Sequence, residues 1–280
     1  MARDHHHVVT AGLLRHFADG QRIRLVDKHT ATSKIVGVRN TFVMSGFNTM
    51  RTDTGPYDDV EDEWARLENA TLPPIRAAID RHDLAAAGDE LKVLAAVHVA
   101  RSYLTRAVFD QAFTERQADP TGGMDMGLLQ SAFREEYGRA PERGEIEAVV
   151  ADHIDLRHRD NSMFVHELVN LHNKVLAKLW PLHIQPVWLN APRRTGLVIG
   201  DVPVVRITAG GLRVTAALGD AEAIYMPLAP AAGVSFTTRP EPAAAATPLD
   251  VLTLNSYLWR SAQRYVACHP ATDWRHALLL

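Results

Sequence analysis

The chain passes from short runs of strand periodicity into a long helical stretch and back again. Val8, Val9, Leu13, Leu14 and Phe17 recur at roughly helical spacing and predict a short helix over 8–18, closed by an Asp19-Gly20 turn. Arg22 to Asp27 alternates through Ile23 and Leu25, and Lys34 to Val38 carries β-branched residues. These two runs predict a β-hairpin with His29 to Ser33 as its loop. Thr41 to Met50 reads as a strand or an irregular segment, and the stretch opening at Asp53 as a turn that starts a helix.

Between 60 and 180 the period is helical. Trp64, Leu67, Leu72, Ile75 and Ile79 share a stripe over 60–81, with a kink expected at Pro73-Pro74. Residues 89–116 predict the longest helix, broken after it by Pro120 and Gly122-Gly123; shorter helices are expected at 126–137 and 142–155, and another at 162–180. From His183 the runs shorten again. Segments 184–189, 196–199, 202–208, 212–216 and 223–227 are punctuated by Gly or Pro and predict a small sheet. A Pro- and Ala-rich linker over 239–248 leads to a closing helix over 248–267. This order predicts an α+β fold in which a central helical bundle packs on a small mixed or antiparallel sheet built from N- and C-terminal β segments. We expect one domain over 1–280: an N-terminal hairpin segment (1–50), a helical region (57–182), a β region (183–248) and a closing helix (249–270).

Composition narrows the function classes. With 30 Lys+Arg against 33 Asp+Glu the net charge is -3, so no global basic field supports sequence-blind nucleic-acid binding. The lone cysteine, Cys268, excludes an intramolecular disulfide and multi-thiolate zinc sites. No long apolar run suggests a membrane span, the N-terminal apolar stretch is too short and interrupted for a signal peptide, and a cytoplasmic protein is expected. No Gly-x-Gly-x-x-Gly, Walker loop or Gly-x-Ser-x-Gly elbow is present.

The unusual number is 14 histidines. Position discounts most of them as metal ligands. His153 and His158 lie among Asp152, Asp155, Arg157, Arg159 and Asp160, an alternation of charge typical of a solvated helix end, where the arginines would repel a cation. His166 and His172, six apart in one helix, fall on different faces, and the His-Glu-x-x-His spacing is absent. His5, His6 and His7 are consecutive, so they cannot all point at one ion from a regular element, and one of the three is a candidate ligand. Among carboxylates, Glu61 and Glu68 lie two turns apart on one helix face. Glu61 suits the positive end of the helix macrodipole, whereas Glu68 borders the Trp64–Leu67 stripe. His98 and Arg101 flank an apolar face, and a buried Arg101 would need a carboxylate, for which Glu68 is the natural candidate.

Several segments, in order, resemble the uncharacterised DUF4238 family of bacterial proteins. Its opening pattern, near His-His-Tyr-Val-Pro-x-x-x-Leu-x-x-Phe, is similar to His6-His7-Val8-Val9-Thr10 through Leu14 and Phe17. Further similarities are a helix with paired glutamates (Glu61, Glu68), a helix with a central Arg (Arg101), a strand ending near Thr-Ser-Asp-Asn-Pro-Val (Ile199 to Val204), a Pro-Leu-Ser-Pro element (Met226 to Pro230) and a closing Leu-Asn helix (Leu254-Asn255). The sequence departs from the pattern at Thr10, where proline is usual, and at Gly200 and Val202, which replace polar residues around Asp201.

The resemblance picks out His7, Glu61, Glu68, Arg101, Asp201 and Asn255. On that set we expect a metal-dependent, nuclease-like hydrolase acting on a small-molecule or nucleic-acid phosphodiester. His7, Glu61, Glu68 and Asp201 would hold a divalent ion, with Mn, Zn or Fe suited better than Mg to nitrogen-plus-carboxylate ligation. Arg101, Asp201 and Asn255 would act in catalysis, the Arg101 fork contacting phosphate. Two other classes stay open: a non-catalytic binding or regulatory module in which the same residues form a buried structural network, and a non-haem iron oxygenase built on two His and one carboxylate.

Overall fold

The computed structural model describes residues 6–52, 55–57, 59–190, 195–208, 211–213, 221–239 and 245–278. The N-terminal segment starts with β1 (His6–His7), then α1 (Ala11–His16), the hairpin β2 (Arg22–Asp27) and β3 (Thr32–Gly37), and β4 (Val43–Met44). The two histidines expected at a helix start are extended instead. They pair antiparallel with β4, His6 opposite Met44 and His7 opposite Val43, which leaves α1 to begin at Ala11. The hairpin is as expected: Ile23 faces Val36 and Leu25 faces Lys34. A second two-stranded ribbon, β5 (Met50–Thr52) and β6 (Gly55–Tyr57), leads into the helices.

The helical region comprises α2 (Asp59–Asp80), α3 (Gly88–Ala100), α4 (Tyr103–Ala118), α5 (Met126–Tyr137), α6 (Glu145–Arg159) and α7 (Ser162–Leu179). α2 continues through Pro73 and Pro74, and Asp59, Glu61 and Asp62 place negative charge at its N-terminal turn. The single helix expected over 89–116 is two. Ser102 is in extended conformation and its Oγ accepts the Thr105 N–H at 3.1 Å, capping α4, while Arg101 closes α3. The break puts Arg101 at a corner, free of helical geometry on its C-terminal side.

The second β region supplies β7 (His183–Leu189), β8 (Ile199–Gly200), β9 (Val205–Thr208), β10 (Gly211–Arg213), β11 (Ala223–Ala229), β12 (Ala232–Thr237) and β13 (Ala245–Ala246). Six of these form one sheet in the order β10-β9-β11-β12-β7-β13, with β13 joining β7 in parallel and the other pairs antiparallel. The expected strand over 212–216 runs partly outside the described residues, as do residues 240–244 of the expected linker. After α8 (Pro248–Ser261) the chain does not stay helical to 267. It forms β14 (Tyr265–Cys268), which pairs with β2 on one side and β8 on the other, and the short α9 (Trp274–Ala277) follows. The resulting four-stranded sheet, β3-β2-β14-β8, is the one built from both ends of the chain.

The fold is therefore α+β. Its main core packs Leu13 and Leu14 of α1, Phe17 just after it, and Ile23 and Val26 of β2 with Leu91 and Leu94 of α3, Val234 and Phe236 of β12 and Val266 of β14. A smaller cluster gathers Phe47, Trp64, Val97, Ala100, Phe164 and Leu168 where α2, α3 and α7 meet. Among the described residues no helix is long and apolar enough to cross a membrane.

Candidate functional site

Arg101 is the centre of the site. Its side chain is 2% exposed, and a guanidinium so far from water needs counter-charge and acceptors. It donates through Nη1 to Glu68 Oε1 and through Nη2 to the His7 carbonyl, and Nη2 lies 3.5 Å from Glu61 Oε1. The seven-residue spacing on α2 is what lets the two glutamates flank one guanidinium. Glu61 sits at the buried face of the first turn, and Glu68 two turns on.

A second ring of contacts fixes those carboxylates. Thr10, at the head of α1, donates its hydroxyl to Glu68 Oε1 at 2.9 Å and its backbone N–H to His98 Nε2 at 3.2 Å. His98 Nδ1 lies 2.8 Å from the Leu94 carbonyl, which can only accept, so Nδ1 carries the proton and Nε2 is the acceptor. Burial, with Arg101 adding, pushes the His98 pKa down to about 4. On the other side Asn48 Nδ2 donates to Glu61 Oε2 at 2.5 Å, and the Asn48 backbone N–H donates to His6 Nδ1 at 3.0 Å. His6 Nδ1 is also 3.6 Å from Glu61 Oε2. Burial raises the Glu68 pKa, against the pull of Arg101 and Thr10.

The structure thus brings together four of the residues expected in the site: His7, Glu61, Glu68 and Arg101. His7 contributes its backbone carbonyl to Arg101, and its ring lies in the fields of Arg101 and Glu61. Burial and then Arg101 lower its pKa. His7 Nδ1, Arg101 Nε and Asn48 Oδ1 are buried and make no hydrogen bond to the described residues. Asp201 and Asn255 lie elsewhere. Asp201 follows β8, and its carboxylate accepts the backbone N–H groups of Gln263 (2.8 Å), Arg264 (2.9 Å) and Tyr265 (2.9 Å) in the turn between α8 and β14. Asn255, fully buried on α8, accepts from Val198 N–H at 3.0 Å and donates to the carbonyls of Gly196 (3.2 Å) and Ala277 (3.1 Å). Both hold loops together through backbone groups.

The ligand set His7, Glu61, Glu68 and Asp201 is not assembled. Glu61 and Glu68 meet at a guanidinium, which takes the place a cation would need, and Asp201 is engaged at another turn. Among the described residues no group of three or more His, Cys, Asp or Glu is arranged to hold a metal ion. The same holds for the two-His, one-carboxylate set of an oxygenase. The histidine clusters discounted by position behave as solvated or aromatic-packed groups: His166 is exposed, His172 is buried against Trp64 with ring centroids 5.2 Å apart, and His158 stacks on Phe113 at 3.6 Å.

Sequence reasoning missed Asn48, His6 and the role of Thr10. Asn48 sits in an irregular segment with no periodicity, so only the tertiary fold places it. His6 was visible as one of three histidines, but the β1–β4 pairing decides that its ring, not that of its neighbour, turns fully inward.

The fold and the site together define an α+β protein organised around a buried arginine with two glutamates, joined to its N-terminal segment by threonine and histidine. The chain belongs to the family described as "Protein of unknown function (DUF4238)", which matches residues 5–272. No curated protein and no solved structure matches it significantly.

Proposed function

We propose that this chain is a non-catalytic binding module in which the Glu61–Glu68–Arg101 network locks the N-terminal segment onto α2 and α3. The observation that carries this reading is the commitment of Arg101. Both of its terminal nitrogens face internal acceptors, two carboxylates and the His7 carbonyl, so the guanidinium is not offered to a substrate anion. Two carboxylates beside it would also repel a phosphodiester. A buried pair of this kind rigidifies what it joins, and here it joins β1, α1, α2 and the α3 corner. Thermal melting of Glu68→Ala and Arg101→Ala tests the reading: each lowers the melting temperature strongly, because each leaves a buried partner unpaired. If both variants melt like the parent, the network is not structural and the proposal fails.

One observation favours a second reading, hydrolysis of a phosphodiester. The His7 ring, kept neutral by burial and Arg101, has an Nδ1 with no partner among the described residues and stands in the field of the Glu61 carboxylate, as a general base would. This reading requires that the protein, supplied with Mn, Zn or Fe, cleave a model phosphodiester and that His7→Ala abolish the cleavage while leaving the melting temperature near that of the parent. Equal rates for parent and variant would remove it.

A further inference from the structure

Beyond Glu68 along α2, from Asn69 to Asp80, the helix forms a cleft of about 720 Å³ with α1 and the end of β11 at the β11–β12 hairpin. Two arginines face it, Arg15 from the last turn of α1 and Arg76 from α2. Both are exposed, and neither side chain makes a hydrogen bond or an ion pair with the described residues. Arg66 of the same helix, in contrast, is paired with Glu63. Asp80 is the acidic residue of the lining, one turn beyond Arg76, and it forms no ion pair with it. His16, also in the lining, donates to the Leu228 carbonyl through Nδ1 at 3.0 Å. A carbonyl only accepts, so that nitrogen carries the proton and Nε2 is left as an acceptor. Burial is the main cause of its lowered pKa, and Arg76 adds to it. The cleft therefore holds two guanidiniums against one carboxylate, on a chain whose net charge is -3.

Asn69 adds a polar side chain to the wall, and part of the rest is apolar. Leu72, Pro73 and Ile79 of α2 and Ala229 of the hairpin supply a hydrophobic side facing the arginines. The volume falls within the range of pockets that take small molecules. Two uncommitted guanidinium forks present the planar donor pairs that match phosphate oxygens. An apolar wall beside them suits the organic body such a phosphate would carry. The cleft walls are also held in place. Gly12 of α1 approaches α2 so closely that a Cβ there would meet Leu72 Cδ1 at 2.3 Å.

We infer that the α1–α2 cleft is a binding site for a small organic phosphate monoester, with Arg15 and Arg76 on the phosphate and the Leu72–Ile79 wall on its body. The inference rests on the reading of the chain as a binding module and names its ligand class, but it uses neither Glu68 nor Arg101. The melting experiment on those two residues therefore fails or succeeds independently of it.

Calorimetric titration of the full chain with adenosine monophosphate, glucose 6-phosphate and inorganic phosphate, at low and high salt, tests it. At least one of the two esters binds about tenfold or more tightly than inorganic phosphate, because only an ester uses the apolar wall. Binding of the nucleotide alone marks a planar base as the body, and binding of the sugar phosphate alone marks a polar ring. Arg15→Gln with Arg76→Gln weakens that binding about tenfold or more and leaves the melting temperature unchanged. Should the double variant not fold, Arg15→Lys keeps the charge and removes the fork, and weakens ester binding severalfold. The proposal is overturned if neither ester binds, if inorganic phosphate binds as tightly as both, or if a folded variant binds like the parent.

Discussion

Two buried carboxylate sites sit in one fold and are compensated in opposite ways. At Glu61 and Glu68 the counter-charge is a full guanidinium, brought from α3 by a corner in the chain. At Asp201 it is a set of three backbone N–H dipoles from the α8–β14 turn, with the positive charge of Lys28 adding to them. The first arrangement needs three separate segments to arrive together; the second needs one turn to wrap one side chain. The contrast explains why only the first leaves donor and acceptor atoms open, at His7 Nδ1, Arg101 Nε and Asn48 Oδ1. A dipole cage closes around its carboxylate, whereas a charge network built from distant segments closes imperfectly.

The contrast is broken most sharply at Arg101. Arg101→Ala strands two buried carboxylates, and we expect a loss of about 3–5 kcal/mol in urea unfolding. Arg101→Met together with Glu61→Gln and Glu68→Gln removes the charges along with the cation, and recovers a large part of that loss. If the triple variant is as unstable as Arg101→Ala, unpaired charge is not the cause.

The Asp201 cage is expected to be weaker but still substantial. Asp201→Ala leaves three backbone N–H groups without their acceptor, and at about 1 kcal/mol for each the expected loss is about 3 kcal/mol. The same substitution is expected to fray the turn before β14, so amide exchange at Gln263, Arg264 and Tyr265 accelerates ahead of that in β2. Exchange that stays as slow as in the parent would show that β14 is held by its strand pairing and not by Asp201.

How much of this was legible in the sequence differs between the two regions for a physical reason. The Glu68–Arg101 pairing could be read, because a buried arginine must have a carboxylate and the helical stripe placed Glu68 at its edge. The helix class and the N-terminal hairpin were likewise legible from their periods. Asp201 and Asn255 were read as site residues, yet the partners of both are backbone groups, which carry no residue signature. Nothing in the letters at 263–265 says that their N–H groups converge. For the same reason the sequence pattern extends the closing helix to 267. Tyr265, Val266 and Cys268 suit a strand as well as a helix, and the partner strand β2 lies more than 230 residues away in sequence. The α3–α4 break, in contrast, had a local signal in Ser102 with Thr105 three residues on, masked by apolar spacing that runs straight across it.

Acid separates the regions further. His98 has a folded pKa of about 4 against an ordinary value of 6.5. The unfolded chain therefore binds the proton first, and the stability associated with neutral His98 is complete above pH 6.5 and is lost as the pH falls from there to 4. Between pH 6 and pH 5 the His98 share is roughly 1 kcal/mol. His98→Gln, which cannot titrate, should flatten the decline of urea stability over that interval by this amount. An unchanged slope in His98→Gln would mean that His98 is not the group whose protonation opens the network; His7 and His16, shifted in the same direction, would then carry it.

The finest distinction lies at Thr10, where this chain departs from the proline usual in the pattern it resembles. Proline has no N–H for His98 and no hydroxyl for Glu68, so both bonds exist here because the residue is threonine. Thr10→Pro is expected to lose both and cost about 1–2 kcal/mol, offset in part by the stiffer backbone at a φ of -49°, which proline tolerates. Thr10→Val removes the hydroxyl alone and keeps the N–H, with an expected cost of about 1 kcal/mol. The difference between the two variants separates the backbone bond from the side-chain bond. If Thr10→Pro instead melts above the parent, the chain entropy gained at the head of α1 outweighs both bonds. The threonine would then be an alternative way of anchoring α1 and not an improvement on proline.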